Sequence, residues 1–274
     1  MTINNRVVIV GVPLDENSSF LRGAATAPDH IRQALHSPSS NLCAENGIDL
    51  GADLRWRDVG DVGTAKEQPS FSEIEDFAGG LLADGDRVVA LGGDHSISIP
   101  LVRAHARAHT SMTILHLDAH PDLYDELDGS RVSHGCPFAR VMEEGLAARM
   151  VSVGIRTANS HQREQAVRFG VETFGPTDDL TAVLASLTPP LYLSLDLDVL
   201  DPAFAPGISH YEPGGLSTRQ VLEIIHTLPC PLTGADIVEL NPDRDLHGMT
   251  SMVAAKLLKE IIAQMLTAPR GDRQ

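Results

Sequence analysis

The segment TILHLDAHPD, residues 113–122, is the most informative part of the sequence, because a largely apolar run passes directly into alternating acidic and imidazole side chains. Continuous apolar runs of this length are typical of strands that are covered on both faces. Two other runs have the same form: Arg87–Leu91 leads into Gly92-Gly93-Asp94-His95, and Leu191–Asp196 leads into Leu197-Asp198. Three predicted strands therefore end in chemically active residues.

Strand and helix patterns alternate through nearly the whole chain. This alternation predicts a mainly parallel sheet with helices on both faces, a three-layer αβα fold of roughly eight strands. The 274 residues suit one large α/β domain, and no linker or repeat interrupts them, so we predict a single domain over residues 1–274. The predicted strands are Arg6–Val12, Arg87–Leu91, Thr113–Asp118, Met150–Gly154, Leu191–Asp196 and Leu232–Leu240, with shorter ones near Arg57–Val62 and Gly170–Thr173. The predicted helices are Pro28–Leu35, Ser72–Leu82, Ser96–His109, Pro137–Glu144, Ser160–Phe169, Asp178–Leu187, Ser217–Thr227 and Thr250–Met265.

The charge balance limits the kinds of partner that the chain can bind. Asp and Glu total 37 against 21 Lys and Arg, which gives a formal net charge of −16. Nucleic acid and anionic membranes need basic surface, so neither is expected as a partner, whereas small cationic ligands are compatible. Three cysteines without a CxxC spacing, no apolar run of about 20 residues and no signal-like N-terminus predict a cytoplasmic location.

Six side chains that follow the three strands have the spacing of a metal site. Residues at i, i+2 and i+4 leave a strand on one side, which groups Asp118, His120 and Asp122, and likewise Asp196 and Asp198. With His95 they place four carboxylates and two imidazoles in one region. Each motif alone has a simpler interpretation, namely a tight turn, a helix cap or a polar network. Together they would repel one another strongly without cations, so we predict bound metal.

The donor set indicates the kind of metal. Oxygen and nitrogen donors without thiolate favour a harder ion such as Mn²⁺ over structural zinc. Six ligands are too many for one catalytic zinc with an open position, and two ions that share bridging carboxylates fit better.

These motifs resemble those of the ureohydrolase family of arginases and agmatinases, and the likeness extends over nearly the whole chain. It is closest to the plant-type arginase branch, through the segments Asn17–Leu21, Asp118–Tyr124, Ser133-His134, Arg163–Gln165, Asp201–Gly207 and Glu212–Leu216. The resemblance implies an arginase-like fold, two Mn²⁺ ions per subunit and a homo-oligomer, either a trimer or a hexamer. One ion would be held by His95, Asp118, Asp122 and Asp196, and the other by Asp118, His120, Asp196 and Asp198.

The resemblance also implies a reaction. A hydroxide that bridges the two ions would attack the carbon of a guanidino group and release urea, since coordination lowers the pKa of water from 15.7 to about 7. Glu239 is the candidate clamp for the guanidinium, and His134 is the candidate proton shuttle. Asp122 is counted with these two as catalytic as well as a ligand. His116 is expected to be a hydrogen-bonded core residue, and Asp94 is expected to orient the site.

The substrate is a small cationic guanidino compound, with arginine favoured and agmatine or another guanidino acid as the alternative. Candidate contacts to the tail of the substrate are Tyr124, Ser133, Asn159 and His210, together with Glu239. Tyr124 and Arg131–Ser133 depart from the animal-type arginase pattern at the positions that read the amino-acid head group. Two remoter alternatives are a metal-dependent deacetylase of similar fold, which would hold one zinc, and a binding protein without activity.

Overall fold

Eight parallel strands form one sheet in the computed structural model, which describes residues 6–63 and 67–267. The strands are β1 Val7–Gly11, β2 Trp56–Asp61, β3 Arg87–Leu91, β4 Thr113–Leu117, β5 Arg149–Val153, β6 Glu172–Phe174, β7 Leu191–Asp196 and β8 Gly234–Val238. Their order in the sheet is β2-β1-β3-β8-β7-β4-β5-β6, and every neighbouring pair is parallel, so the prediction of a mainly parallel sheet of about eight strands is confirmed.

Helices cover both faces of this sheet. They are α1 Ala27–Leu35, α2 Phe71–Ala83, α3 Ser98–Ala108, α4 Pro137–Glu143, α5 Ser160–Phe169, α6 Thr181–Ala185, α7 Thr218–Thr227 and α8 Met249–Leu266. Alternate side chains of β3 enter different cores, since Val89 and Leu91 pack with α1, α6, α7 and α8, whereas Val88 and Ala90 pack with α2 and α3. A further core lies between β4, β5, α4 and α5. The three-layer prediction is therefore confirmed.

Some predicted bounds were too wide, and local hydrogen bonds explain why. Gly170 closes α5 with a φ of 67°, so β6 begins after it rather than at it. The carboxylates of Asp178 and Asp179 accept the backbone N–H groups of Gly175 and Thr181, which holds a turn where the start of α6 was predicted. α3 also begins late, because residues 95–97 form a 3-10 turn.

β8 ends at Val238, two residues before the predicted end, because Glu239 adopts a φ of 67°. Asp122 also has a positive φ, of 50°. Such left-handed conformations cost roughly 1–3 kcal/mol in residues other than glycine and persist only where the surrounding structure holds them. Both strained residues are among the predicted site residues.

Candidate metal centre

The carboxyl ends of four neighbouring strands meet at the middle of the sheet, in the order β3-β8-β7-β4. Ligands bind at this edge in open α/β sheets. The turn after β3 lies against neighbouring backbone, because a Cβ at Gly93 would overlap the carbonyl oxygen of Leu14. The carbonyl oxygen of Gly93 accepts the backbone N–H of Glu239, so the ends of β3 and β8 are fixed to each other.

His95 lies at the centre of a first group of carboxylates. Its Nδ1 is 3.2 Å from an oxygen of Asp118, 3.0 Å from Asp122 and 3.4 Å from Asp196. The ring is fully buried, yet among the described residues no acceptor meets Nδ1 with hydrogen-bond geometry. One imidazole nitrogen that faces three carboxylate oxygens is a donor set that fits a divalent cation.

His120 lies at the centre of a second group. Its Nδ1 is 2.9 Å from Asp198 and 3.4 Å from the other oxygen of Asp118. Asp118 therefore presents one oxygen to each histidine, as a bridging ligand would. Asp196 presents Oδ2 to His95, and its Oδ1 accepts the backbone N–H of Asp198.

The charges of this cluster require compensation by cations. Burial and the neighbouring carboxylates Asp198 and Asp118 raise the pKa of Asp196 well above its usual range, and burial together with Asp118 raises the pKa of Asp198 to about 6. Burial alone would lower the pKa of His95, but the surrounding carboxylates outweigh it and raise that pKa well above 6.5. Because the carboxylates attract protons and positive charge so strongly, the residues present fit a pair of divalent ions.

A buried chain of hydroxyl groups sets the orientation of the His95 ring. Ser194 Oγ lies 2.9 Å from His95 Nε2 and donates a hydrogen bond of 2.6 Å to Asp236. Asp236 also accepts from Tyr192 and Ser98, and its own exposure is zero. Since the hydroxyl proton of Ser194 goes to Asp236, Nε2 donates to Ser194, so an ion that displaces the remaining ring proton would find the Nδ1 lone pair on the side of the carboxylates.

Two of the secondary predictions have clear outcomes. His116 is a hydrogen-bonded core residue as predicted, since its ring nitrogens lie 3.1 Å from Ser152 Oγ and 2.8 Å from Asp118. Asp94 orients the site as a cap, since it accepts the N–H groups of Asn17 and Ser96 and so joins the loop after β1 to the turn that carries His95.

A cavity of about 250 Å³ opens beside the two groups of carboxylates. Glu239 accepts a hydrogen bond of 3.0 Å from His134 Nδ1, and Ser19 Oγ lies 2.8 Å from His134 Nε2. Burial opposes the charge on His134, but Glu239 outweighs it and raises its pKa to about 9. Burial raises the pKa of Glu239 and the His134 charge lowers it below its usual value, so the two form an ion pair.

The cavity brings together most of the predicted tail contacts. Its lining includes Tyr124, Asn159 and His210, and the amide of Asn159 donates to the Tyr124 hydroxyl at 2.9 Å. Ser133 is not among the lining residues, because its hydroxyl donates to the carbonyl oxygen of Asn17, so its prediction as a tail contact is not supported by the geometry.

Three residues of the site were missed from the sequence. Ser19 and Gln162 line the cavity, and Asp236 lies below the metal ligands. The segment that contains Ser19 had been singled out by resemblance, but its partner His134 is 115 residues away. His105 is fully buried, since α3 directs it against Tyr192 with its Nδ1 2.8 Å from the Leu101 carbonyl oxygen.

An all-parallel αβα sheet whose central strand ends carry this His/Asp cluster defines a metal-dependent ureohydrolase, an enzyme that cleaves the C–N bonds of linear amidines. A family model described as the arginase family matches residues 5–263. The chain therefore belongs to the arginase family.

Named relatives agree with this assignment. Arginase 1, mitochondrial, of Arabidopsis thaliana is 46% identical over 275 residues, which cover 94% of this chain and 80% of the relative. The solved arginase of Medicago truncatula superposes with a TM-score of 0.87 at 40% identity, covering 97% of this chain and 89% of that one. An N(1)-aminopropylagmatine ureohydrolase of Thermus thermophilus is 37% identical over 274 residues, covering 94% of this chain and 89% of the relative. These relatives favour the ureohydrolase interpretation over the deacetylase alternative.

Proposed function

We propose that this protein is an arginase, which hydrolyses arginine to ornithine and urea with two Mn²⁺ ions. The observation that carries the proposal is the pair of imidazole-centred carboxylate groups that share Asp118, within the arginase family fold. In this proposal one ion is held by His95, Asp118, Asp122 and Asp196, and the other by Asp118, His120, Asp196 and Asp198. When bound, such ions supply a deprotonated water near neutral pH, which is the nucleophile that an unreactive guanidinium carbon requires.

Glu239 positions the guanidinium in this proposal. It is a buried carboxylate at the cavity wall, and carboxylates bind the planar guanidinium through paired, charge-assisted hydrogen bonds. The backbone N–H of His95 donates to Glu239 Oε1 at 2.9 Å, which holds the carboxylate beside the metal ligands. A substrate held there would lie with its carbon next to both groups of ligands.

His134 supplies the proton that the departing amine needs. Its ring lies in the cavity wall between Glu239 and Ser19, and the raised pKa keeps it protonated near neutrality. A positioned acid of this kind contributes typically 10²–10⁴-fold to a rate. Ser19 is exposed to solvent, so its hydroxyl connects the buried imidazole to water, from which the proton is replaced.

The lining of the cavity beyond Glu239 favours arginine over agmatine. It is formed by neutral polar groups, chiefly Tyr124, Thr157, Asn159 and Gln162, while Asp125 is engaged by Gln165 outside the lining. Hydroxyl and amide groups can both donate to a carboxylate and accept from an ammonium, as an amino-acid head group requires. An isolated ammonium would instead favour an acidic partner. The plant relatives that are named arginases support the same choice.

Two further properties stay predictions. A homo-oligomer, trimer or hexamer, is checked by light scattering of the purified protein. A cytoplasmic location finds no support in the plant relatives, several of which are named mitochondrial or chloroplastic. Within the described residues, no helix is both long and apolar enough to cross a membrane.

The deciding experiment is urea release by Mn²⁺-loaded protein with arginine, agmatine, guanidinobutyrate and free guanidine as substrates. The highest kcat/KM is expected for arginine. A preference for agmatine would replace arginase by agmatinase, and no urea from any of the four would overturn the proposed function.

A further inference from the structure

His210 is an imidazole without a hydrogen-bond partner in the wall of the cavity. Its ring packs beside three other rings, with centroids 5.0 Å from His134, 5.6 Å from Phe20 and 6.3 Å from His120. The cavity lining includes this ring, so its nitrogens can reach a ligand in the cavity. Neutral imidazole is the commonest metal ligand in proteins.

His210 has two further donors beside it. Its ligand atom and those of His134 and Glu239 all lie within 4.8 Å of one another, and His134 Nδ1 is already 3.0 Å from Glu239 Oε1. Tetrahedral zinc with bonds of 2.0–2.2 Å places its ligand atoms roughly 3.4 Å apart, so a small inward movement of His210 would complete the set. Two imidazoles and one carboxylate with a fourth position open to water are a common zinc arrangement.

We propose that His134, His210 and Glu239 form a third cation site, which takes a zinc-class divalent ion and inhibits the enzyme. None of these three residues is among the six ligands proposed for the two Mn²⁺ ions, so the site is separate from that pair. The inhibitory part rests on the proposed function, in which Glu239 holds the guanidinium and His134 donates a proton. An ion bound there occupies the carboxylate, repels the cationic substrate and displaces the proton of His134.

The first test counts ions. Protein loaded with two Mn²⁺ is treated with a small excess of Zn²⁺, desalted and measured for both metals by mass spectrometry. We expect Mn²⁺ to stay at two per chain and one Zn²⁺ to be added. Loss of Mn²⁺ in proportion to the Zn²⁺ gained, or no Zn²⁺ retained, would overturn the proposal, since zinc would then act at the proposed manganese sites or not bind.

Variants connect the added ion to these residues. Removing even an outer-shell partner costs about 10–100-fold in metal affinity, so losing a direct ligand should weaken zinc binding at least that much. We expect this loss in His210→Asn and, as a second variant should the first fold poorly, in His134→Asn. His30→Asn, a change at an exposed histidine of α1, is the matched control and should keep the third ion. Wild-type zinc affinity in both site variants would contradict the site.

Kinetic measurements test the inhibitory role of the third ion separately from its binding. Zn²⁺ should raise the apparent KM for the guanidino substrate without lowering kcat. The His210→Asn variant should need at least about tenfold more Zn²⁺ for half inhibition. Each protein is compared with its own zinc-free rate. A third ion that binds without raising KM would remove the inhibitory role. If no guanidino substrate releases urea, the proposed function fails, while the ion count still decides whether the site exists.

Discussion

Replacing Asp236 by Asn should weaken metal binding although Asp236 is not itself a proposed ligand. The carboxylate accepts three hydroxyl protons, from Ser194 at 2.6 Å, Tyr192 at 2.7 Å and Ser98 at 2.9 Å. An amide has one oxygen, which can still accept from Tyr192 and Ser98. Its NH₂ group then faces Ser194 Oγ, which must accept a hydrogen bond and turn its own proton elsewhere.

The nearest acceptor for that proton is His95 Nε2, 2.9 Å away, whereas Ser98 Oγ is 3.5 Å away. The ring proton then moves to Nδ1, the nitrogen that faces Asp118, Asp122 and Asp196. A proton on that atom competes directly with the ion, and changes of this outer-shell kind cost about 10–100-fold in metal affinity, or about 1.4–2.8 kcal/mol. The metal-free protein should lose about 1–3 kcal/mol of stability, because bonds to a charged acceptor become bonds to a neutral one.

The assay combines calorimetric titration of chelator-treated protein with Mn²⁺ and urea unfolding of the same metal-free samples. Tyr192→Phe is the matched control, since it removes one donor to Asp236 and leaves the bond between Ser194 and His95 in place. It should lower stability by about 0.5–1.5 kcal/mol without changing Mn²⁺ affinity. Asp236→Asn protein that binds Mn²⁺ as tightly as the wild type would refute the proposed link between this carboxylate and the His95 ring.

Three further results are expected. Ser19→Ala should lower kcat, alter the pH profile and make the rate respond to added small buffer acids, whereas Ser19→Thr should keep the wild-type pH profile. If the Ala and Thr variants have the same pH profile, the Ser19 hydroxyl does not pass a proton to His134. Gly93→Ala should lower the free energy of unfolding by about 1–3 kcal/mol, since the new methyl group overlaps the backbone of Leu14, and an unchanged urea midpoint would count against that packing. Removing metal with a chelator should lower the melting temperature, since an ion at about 100 times its Kd stabilises the folded state by about 2.7 kcal/mol; a chelator-insensitive melt would argue against tightly bound ions.

The central strands and the convergence of the candidate metal ligands were predictable, because the local sequence pattern and the sheet topology both indicate them. Apolar runs defined the strands, and parallel strands place their carboxyl ends on one edge, so His95, Asp118 and Asp196 had to converge. The spacing of two residues then placed His120 and Asp198 beside them. Helix positions followed from periodicity, and the boundaries that differed were set by turn hydrogen bonds, such as those of Asp178 and Asp179.

Contacts between distant segments were not predictable in this way. Two examples are the hydrogen bond between Ser19 and His134 and the hydrogen-bonded chain from Asp236 through Ser194 to His95. In both, the local sequence does not indicate which distant residue is the partner. The direction of a side chain on a loop cannot be predicted from the sequence either, so the prediction that Ser133 faces the cavity was not supported by the geometry. His105 lies on a helix whose pattern alone does not show that its face packs into the core.

The most direct test of the two-ion centre is the position of manganese in crystals of the Mn²⁺-loaded protein, read from anomalous scattering. We expect two peaks per chain, roughly 3.5–4 Å apart, one bonded to His95 Nδ1 and the other to His120 Nδ1, with Asp118 between them. A single peak, or peaks remote from these two histidines, would contradict the two-ion centre.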